Sequence, residues 1–420
     1  MSESKTGACV FAQSGGPTAV INASAYGVIK TALDAPEITG VYGAANGIVG
    51  ILNDKLYDMR LEDPYELSLL PNTPSSELGS CRYKLKNAEE SDADYVKILE
   101  VFKKYDVRFF FYNGGNDSMD TCAKISRYFA AVGYDCRVLG IPKTIDNDLC
   151  GTDHSPGYGS AAKYIATSVA EIYKDNCVYD TGSVAIVETM GRHAGWLAGA
   201  AALAGLSGAA PDLVYLPETP FDMDRFIGDV SAVYGEKKKC LVAVSEGVRY
   251  KDGGFVSEAK VSASDGFMHA QLGGLAAILA DAVKRKTGAK VRAIELSTLQ
   301  RCGAHLASKR DIDEAFAVGE FAVRAAVGGE SGKMVALRRV PGTDYVCECV
   351  TQPLETAANN EKTVPREWIN AAGNNITQEF IDYALPLIQG EPERVTEQGL
   401  PRFARLKKLP PRIFRIKSLP

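Results

Sequence analysis

The chain has 420 residues and a net charge of −5 at neutral pH. Because this length exceeds what one hydrophobic core normally supports, two domains are expected, and the negative charge argues against nucleic acid as a partner. No apolar run reaches the roughly 18 residues that span a bilayer, so we predict a cytoplasmic protein with no membrane contact. The ten cysteines lack the spacing of a zinc site and are expected to be free thiols.

The first predicted strand, residues 8–13, runs into the turn Ser14-Gly15-Gly16, and a helix is predicted over residues 18–33. Paired glycines let the backbone approach a ligand closely, and the N-terminus of a helix directs N–H groups toward an anion. The turn therefore favours a phosphate site, but an ordinary strand-to-helix turn has the same pattern.

Two further predicted strands, residues 107–112 and 138–141, end in the most informative segments of the chain. The first runs into Gly-Gly-Asn-Asp-Ser at 114–118, and the second runs into Pro-Lys-Thr-Ile-Asp-Asn-Asp at 142–148. Open α/β sheets place their chemistry at the ends of parallel strands. The pair of segments therefore indicates a phosphoryl-transfer site.

The second segment carries Thr144, Asp146 and Asp148 at alternate positions. In an extended chain, these three side chains point to one side. Two carboxylates on one face repel each other, which raises one pKa and suits a base that accepts the proton of an attacking hydroxyl. The alternative is a turn-forming or helix-capping Asp-Asn-Asp.

Apolar runs continue the alternation of strands and helices in the second half of the chain. This alternation is typical of an α/β fold with parallel sheets that helices cover on both faces. Strands are predicted at 183–188, 213–216, 241–245 and 291–296, and helices at 161–172 and 196–206.

Charged residues follow three of these strands. Arg192 and Arg301 suit phosphate oxygens, because a guanidinium forms two parallel hydrogen bonds to them, and Glu246 suits sugar hydroxyls. Taken separately, each arginine is typical of a surface ion pair. At successive strand ends of one sheet system, they indicate a pocket for a phosphorylated polyol.

The character of the sequence changes from about residue 350. Prolines, amides and a basic tail over residues 402–417 replace the alternation of strands and helices. We expect this segment to pack across its own subunit or a neighbouring one, and an arm that binds nucleic acid is the alternative.

Several motifs in order resemble the phosphofructokinase family. They are Ser-Gly-Gly at 14–16, Gly-Gly-x-x-Ser at 114–118, Pro-x-Thr-Ile-Asp-Asn-Asp at 142–148, Met-Gly-Arg at 190–192 and Gln-Arg at 300–301. The match covers roughly residues 8–335. It implies two Rossmann-like three-layer α/β domains with parallel-type sheets and the active site in the cleft between them. The implied donor domain comprises 1–157 and about 303–349, the sugar-phosphate domain comprises 158–302, and 350–420 forms an extension on the body or a subunit interface.

The resemblance also implies roles for single residues, with Asp146 as the general base for the 1-hydroxyl of fructose 6-phosphate and Lys143 and Arg192 as further catalytic residues. Arg292 matches an arginine that reaches the sugar phosphate of a neighbouring subunit, which implies a homodimer or homotetramer. The residues implied for the donor are Ser14, Gly15, Gly16, Arg82, Gly115, Asp117, Ser118 and Lys143. Those implied for the sugar phosphate are Thr144, Ile145, Asp146, Asp148, Met190, Gly191, Arg192, Glu246, Arg292, Thr298 and Arg301.

Two positions favour pyrophosphate as the phosphoryl donor. ATP-using relatives carry glycine where this chain has Asp117 and Lys143, and both changes resemble the pyrophosphate-dependent branch of the family. An aspartate adds bulk and a charge that repels the α-phosphate of ATP by roughly 4 kcal/mol at about 4 Å. Lys143 supplies a cation for pyrophosphate and for the transferring phosphoryl group. We therefore expect reversible phosphorylation of fructose 6-phosphate to fructose 1,6-bisphosphate in glycolysis or gluconeogenesis.

Three positions depart from the family pattern. Asn116 stands where relatives have an acidic Mg²⁺ ligand, and an amide oxygen binds Mg²⁺ more weakly. Thr298 stands where they have His or Tyr, and Ser183 where ATP-using enzymes have an arginine. Two alternatives stay open: an ATP-dependent phosphofructokinase, which would have to tolerate Asp117, and a non-catalytic sensor of sugar phosphates, which only Asn116 favours.

Overall fold

The computed structural model describes residues 5–257, 272–342, 344–358 and 360–411. Residues 412–420, which include the end of the predicted basic tail, lie outside the described residues, as do residues 1–4 and residues 258–271 of the predicted sugar-phosphate domain. Over the described ranges, no helix combines the length and the apolar character needed to cross a membrane.

The described residues form two main β-sheets, one short hairpin and the helices that cover them. The strands are β1 (Gly7–Gln13), β2 (Ile38–Ala44), β3 (Leu56–Asp58), β4 (Val107–Gly114), β5 (Arg137–Pro142), β6 (Ser183–Thr189), β7 (Leu213–Tyr215), β8 (Lys239–Ser245), β9 (Lys290–Glu295), β10 (Lys333–Arg339), β11 (Cys347–Pro353), β12 (Thr396–Glu397) and β13 (Leu400–Pro401). The α-helices are α1 (Ile21–Asp34), α2 (Ile48–Leu52), α3 (Pro64–Ser68), α4 (Ala93–Lys104), α5 (Asn116–Ala131), α6 (Tyr158–Asn176), α7 (Trp196–Ala200), α8 (Met223–Lys237), α9 (Leu275–Thr287), α10 (Leu299–Cys302), α11 (Lys309–Val327), α12 (Leu354–Ala357) and α13 (Gln378–Ala384).

The larger sheet has seven strands in the order β11-β10-β5-β4-β1-β2-β3. Its five central strands pair in parallel, and only the edge strands β3 and β11 are antiparallel to their neighbours. The smaller sheet has four parallel strands in the order β7-β8-β6-β9. The predicted α/β class with parallel-type sheets is confirmed. After the smaller sheet, the chain returns to the larger one through β10 and β11.

Strand β4 shows why continuous apolar runs form the centre of the larger sheet. Its side chains alternate between two faces, so Phe109 and Phe111 pack in one hydrophobic core while Phe110 and Tyr112 pack in another. All four are fully buried. Because helices cover both faces, an alternation of apolar and polar residues is absent from this strand.

Helix α1 begins at Ile21, so the predicted start at residue 18 is wrong. The N–H of Val20 donates to the Thr18 hydroxyl at 3.2 Å, and the Thr18 carbonyl accepts a hydrogen bond from Ser75 at 3.0 Å. Thr18 is therefore held in the loop, and Pro17 lies outside the helix. The glycine turn at 14–16 is separated from the helix N-terminus by four residues.

A buried ionic network joins the loop after β5 to α11 and β10. The imidazole of His154, which is 1% exposed, contacts the carboxylates of Asp153 at 2.9 Å and Glu314 at 2.7 Å. Arg339 also binds Asp153, and the Tyr345 hydroxyl donates to Glu314 at 2.8 Å. Burial alone lowers the pKa of His154, but the two carboxylates outweigh it and raise the pKa from 6.5 to about 9.

We expect His154→Gln to remove a stabilising effect that depends on pH. Because the folded pKa lies above the unfolded one, the imidazolium contributes fully below pH 6.5 and loses its contribution as the pH rises through about 9. Wild type should exceed the variant in free energy of unfolding at about pH 6. This excess should be smaller by roughly 3 kcal/mol at about pH 10. Urea titrations at both pH values measure this difference, and a difference that grows with pH would contradict the assignment.

Candidate active site

A cleft of about 620 Å³ lies between the ends of the two main sheets and collects most of the predicted site residues. Both sheets contribute, because the parallel strands of each point their carboxyl ends into it. Its lining residues are Gly15, Gly16, Arg82, Lys84, Gly115, Asn116, Asp117, Ser118, Lys143, Thr144, Ile145, Asp146, Asp148, Met190, Arg192, His193, Glu246, Arg301, Asn360 and Glu361.

The N-terminus of α5 forms one wall of the cleft. Gly115 is the residue before the helix, and Asn116, Asp117 and Ser118 form its first turn. A Cβ atom at Gly114 would lie 2.0 Å from the Ser118 hydroxyl, so only glycine allows this tight entry. The helix dipole and its free N–H groups make the wall suitable for an anion.

Lys143 lies at the bottom of the cleft and is 3% exposed. Its ammonium donates a hydrogen bond to the Gly16 carbonyl at 2.7 Å. Gly15 has φ 74°, and a Cβ there would be strained and would stand 3.3 Å from the same ammonium. Burial lowers the pKa of Lys143 to about 8, although the nearby Asp146 carboxylate opposes the shift. The glycine turn and Lys143 thus form one cationic unit.

The segment 144–148 is bent, so the prediction that its polar side chains alternate along an extended chain is wrong. Asn147 adopts a left-handed conformation with φ 55°, and the N–H of Asp146 donates to the Thr144 hydroxyl at 3.1 Å. The side chain of Asn147 is fully buried and accepts a hydrogen bond from the N–H of Ser155 at 2.9 Å. Because Asn147 turns inward, Thr144, Asp146 and Asp148 nevertheless all reach the cleft.

Burial raises the pKa of three cleft carboxyls, those of Asp146, Asp148 and Glu246. Burial raises the pKa of Asp146, against the opposing charges of Lys143, Arg301, Arg192 and Arg82. It raises the pKa of Asp148 and that of Glu246 to about 7, and the charge of Asp146 adds to both shifts. A carboxyl that titrates near neutrality is suited to proton transfer.

Loops after β6, β8 and β9 form the opposite wall. Gly191 has φ 125°, and its carbonyl accepts a hydrogen bond from the Ser245 hydroxyl at 2.5 Å. The N–H of Met190 donates to the Gln300 side chain at 3.1 Å, which joins the Met-Gly-Arg and Gln-Arg motifs. Arg301 extends from this wall so far that a Cβ at Gly16 would lie 3.1 Å from its guanidinium.

Four predicted residues do not line the cleft. Ser14 is buried at the start of the glycine turn. Gly191 is buried within the Met-Gly-Arg loop, where its carbonyl accepts a hydrogen bond from Ser245. Thr298 is exposed at the start of α10. Arg292 lies on the edge strand β9, where it pairs with Asp175 at 2.8 Å in a separate cavity. The substrate contacts proposed for these residues stay predictions.

Four lining residues were missed from the sequence. Lys84 pairs with Asp117 at 3.8 Å, and its place two residues after Arg82 was an available signal. His193 directly follows Arg192 and pairs with Glu361 at 3.3 Å. Asn360 and Glu361 reach the cleft from the C-terminal extension, more than 200 residues away in sequence from the 144–148 segment. No local pattern marks such a contact.

Asn116 carries the clearest indication of a metal ligand. Its side-chain nitrogen donates to Asp148 at 3.2 Å, whereas its buried side-chain oxygen has no hydrogen-bond partner among the described residues. A buried polar atom without a partner is costly unless a ligand satisfies it. An amide oxygen beside a carboxylate suits a hard divalent cation such as Mg²⁺.

Comparison with known proteins adds independent evidence on the family. The sequence profile described as Phosphofructokinase matches residues 8–325, which include every site motif named above. This chain belongs to the phosphofructokinase family. The match to the glycine turn, the 114–118 and 142–148 segments and both arginine motifs agrees with the predicted resemblance.

Two relatives and one solved structure are similar to this chain over nearly its whole length and nearly the whole of theirs. The pyrophosphate–fructose 6-phosphate 1-phosphotransferase of Halomonas elongata is 45% identical over 403 residues, covering 95% of this chain and 96% of that protein. The protein of the same name from Xanthomonas campestris pv. campestris is 46% identical over 407 residues, covering 96% and 97%. The crystal structure of a pyrophosphate-dependent phosphofructokinase from Marinobacter aquaeolei has a TM-score of 0.87 at 40% identity, covering 97% of this chain and 98% of that one. The similarity therefore includes the C-terminal extension.

Proposed function

We propose that this chain transfers a phosphoryl group from pyrophosphate to the 1-hydroxyl of fructose 6-phosphate, reversibly, giving fructose 1,6-bisphosphate and phosphate. The observation that carries the proposal is the cationic unit of Lys143 and the glycine turn, which faces Asp146 in the same cleft. The names of the relatives over nearly the full chain support the same donor and acceptor.

In this proposal, Asp146 is the general base. Its carboxylate orients the sugar 1-hydroxyl and accepts the proton while the oxygen forms its bond to phosphorus. The bond between that phosphorus and the bridging oxygen of pyrophosphate breaks, and phosphate leaves. Lys143 and Arg192 stabilise the charge on the transferring group, because both line the same cleft, where Lys143 is buried and Arg192 is partly buried.

In this proposal, pyrophosphate binds to the wall of the cleft that α5 and the glycine turn form. The sugar phosphate binds to the opposite wall, which the loops after β6, β8 and β9 form. Asp117 occupies the first turn of α5, where an ATP α-phosphate would have to approach. Glu246 is placed to accept hydrogen bonds from sugar hydroxyls, and Arg301 to bind a phosphate. Mg²⁺ would be held by Asn116, with Asp148 as its neighbour, and would neutralise pyrophosphate charge.

A homodimer or homotetramer is part of the proposal. It is supported by β9, an edge strand of the smaller sheet, whose residue Arg292 is exposed outside the chain's own cleft. An exposed edge strand presents unpaired N–H and C=O groups with which another chain can pair. Cytoplasmic location and a place in glycolysis or gluconeogenesis stay predictions.

Initial rates with fructose 6-phosphate test the donor assignment. We expect turnover with pyrophosphate and Mg²⁺, at least about 100-fold less with ATP at the same concentration, and loss of turnover when EDTA removes the metal. Faster turnover with ATP would keep the fold and the sugar site but contradict the donor assignment. Absence of turnover with both donors would favour a non-catalytic sensor.

Replacing Asp146 tests the base. We expect Asp146→Asn to lower kcat by about 10²–10⁴-fold while the affinity for fructose 6-phosphate changes little, because the amide keeps the shape but cannot accept the proton. Steady-state kinetics and equilibrium binding of the sugar phosphate measure the two effects. Full activity in the folded variant would remove Asp146 from this role.

Restoring the glycines of ATP-using relatives tests the basis of donor choice. We expect Asp117→Gly combined with Lys143→Gly to raise the ratio of ATP to pyrophosphate turnover, because the first change removes bulk and a repelling charge and the second removes a pyrophosphate contact. The single variants serve as controls. An unchanged ratio in a folded double variant would show that other residues select the donor.

A further inference from the structure

We propose that the C-terminal extension carries a positioning residue for the reaction, Tyr383, which holds the 144–148 segment in its working shape through Asn147. The inference builds on the proposed function, because it concerns the same reaction. Tyr383 lies in α13, more than 200 residues beyond Asn147 in sequence.

The Tyr383 hydroxyl makes two hydrogen bonds to the loop that contains the predicted base. It accepts one from the side-chain amide of Asn147 at 2.9 Å and donates one to the carbonyl of Asp153 at 2.7 Å. The other end of the Asn147 amide binds the N–H of Ser155. The two bonds fix the Asn147 side chain between Tyr383 and Ser155.

Asn147 forms the bend of the segment with its backbone in the left-handed region, which asparagine adopts more readily than other residues except glycine, and the hydrogen bonds of its side chain fix that bend. It stands between Asp146 and Asp148, so any relaxation of Asn147 moves both carboxylates. A displacement of about 1 Å of a reacting group can lower a rate by about 100-fold. The effect of Tyr383 is therefore expected on the rate of the chemical step.

A second part of the extension holds the chain immediately after Asn147. The N–H of Lys362 donates to the Asp148 carbonyl at 2.7 Å, and Glu361 forms an isolated antiparallel bridge with Leu149. The Lys362 ammonium donates to the carbonyls of Thr152 and Asp153 at 3.2 and 2.8 Å. The extension thus holds the chain at Asn147 and over the residues that follow it, from Asp148 to Asp153.

The extension is itself anchored firmly enough to hold the loop. Tyr383 packs against Trp196 and Trp368 with ring centroids 5.2 and 5.3 Å apart, and the Arg339 guanidinium lies 4.9 Å from its ring. The Lys362 carbonyl accepts a hydrogen bond from the Trp196 indole at 2.9 Å. The aromatic contacts do not involve the Tyr383 hydroxyl, so Tyr383→Phe should keep the packing and remove only the two hydrogen bonds.

Tyr383→Phe and Tyr345→Phe form a matched pair for the test. Tyr345 is also a partly buried tyrosine near Arg339, but its hydroxyl donates to Glu314 and makes no contact with the 144–148 segment. We expect Tyr383→Phe to lower kcat by about tenfold with KM for both substrates changed less than about twofold, and Tyr345→Phe to keep kcat while losing comparable stability.

A double variant shows whether Tyr383 acts through Asn147. If it does, Tyr383→Phe causes no further loss of kcat in an Asn147→Ala background, because the contact is already gone. Losses that multiply would overturn the inference, as would an unchanged kcat in Tyr383→Phe or an equal loss in Tyr345→Phe.

Hydrogen exchange separates this inference from the proposed function, since it requires no turnover. We expect faster exchange of the backbone amides around Asp146 in Tyr383→Phe than in wild type, with no change there in Tyr345→Phe. Equal exchange in all three proteins would overturn the inference even if wild type is inactive. Faster exchange with an inactive wild type would keep the inference about the loop and reject the proposed reaction.

Discussion

The whole site depends on keeping a lysine charged where water hardly reaches it. Lys143 is almost fully buried, and its ammonium has a protein carbonyl as partner in addition to the nearby Asp146 charge. Burial of a single cation would be strongly unfavourable, so the Asp146 carboxylate and the carbonyl of the glycine turn have to lie beside it, against the opposing charges of Arg301 and Arg82. A di-anionic ligand that enters this cleft meets cations that are already desolvated and fixed, which is the condition under which electrostatic stabilisation is strongest.

The same constraint explains the glycines at the site. A side chain at Gly114 would collide with Ser118, and one at Gly16 would crowd the Arg301 guanidinium. A side chain at Gly15 would be strained by the left-handed backbone. Backbone and cations can approach each other only because these Cβ atoms are missing. The parallel sheets then supply the geometry, since the loops after β1, β4, β5, β6, β8 and β9 all open toward one cleft.

Much of the fold and of the cleft could be predicted from the sequence because the signals are local. The central strands are continuous apolar runs, and the residues directly after them, such as Asp117, Lys143 and Arg192, line the cleft as expected. What could not be predicted depends on contacts distant in sequence. The left-handed Asn147 is held by Ser155 and Tyr383, and although Asp-Asn-Asp is compatible with a turn, no local pattern identifies the distant tyrosine that holds it.

The edge strand β9, the glycine-containing strand β2 and the short strand β3 show a second limit of prediction from the sequence. β2 contains two glycines and β3 has three residues, so neither has the apolar length that marks a buried strand. β9 was expected as a strand, but most of its residues are exposed on this chain. The exposure of an edge strand depends on whether another chain lies beside it, and a single sequence carries no direct signal for such a neighbouring chain.

The ion pair between Asp117 and Lys84 refines the reason for donor choice. Both side chains are partly exposed, and their atoms are 3.8 Å apart, so water and Lys84 weaken the repulsion that an isolated aspartate would exert on a nucleotide. The full Coulomb value for an aspartate and a phosphate is therefore an upper bound at this site. Bulk at the first turn of α5 and the fixed cation of Lys143 then carry a larger share of the selectivity. Exclusion by shape does not fade with salt, whereas exclusion by an exposed charge does, so we expect the preference for pyrophosphate over ATP to persist at high ionic strength.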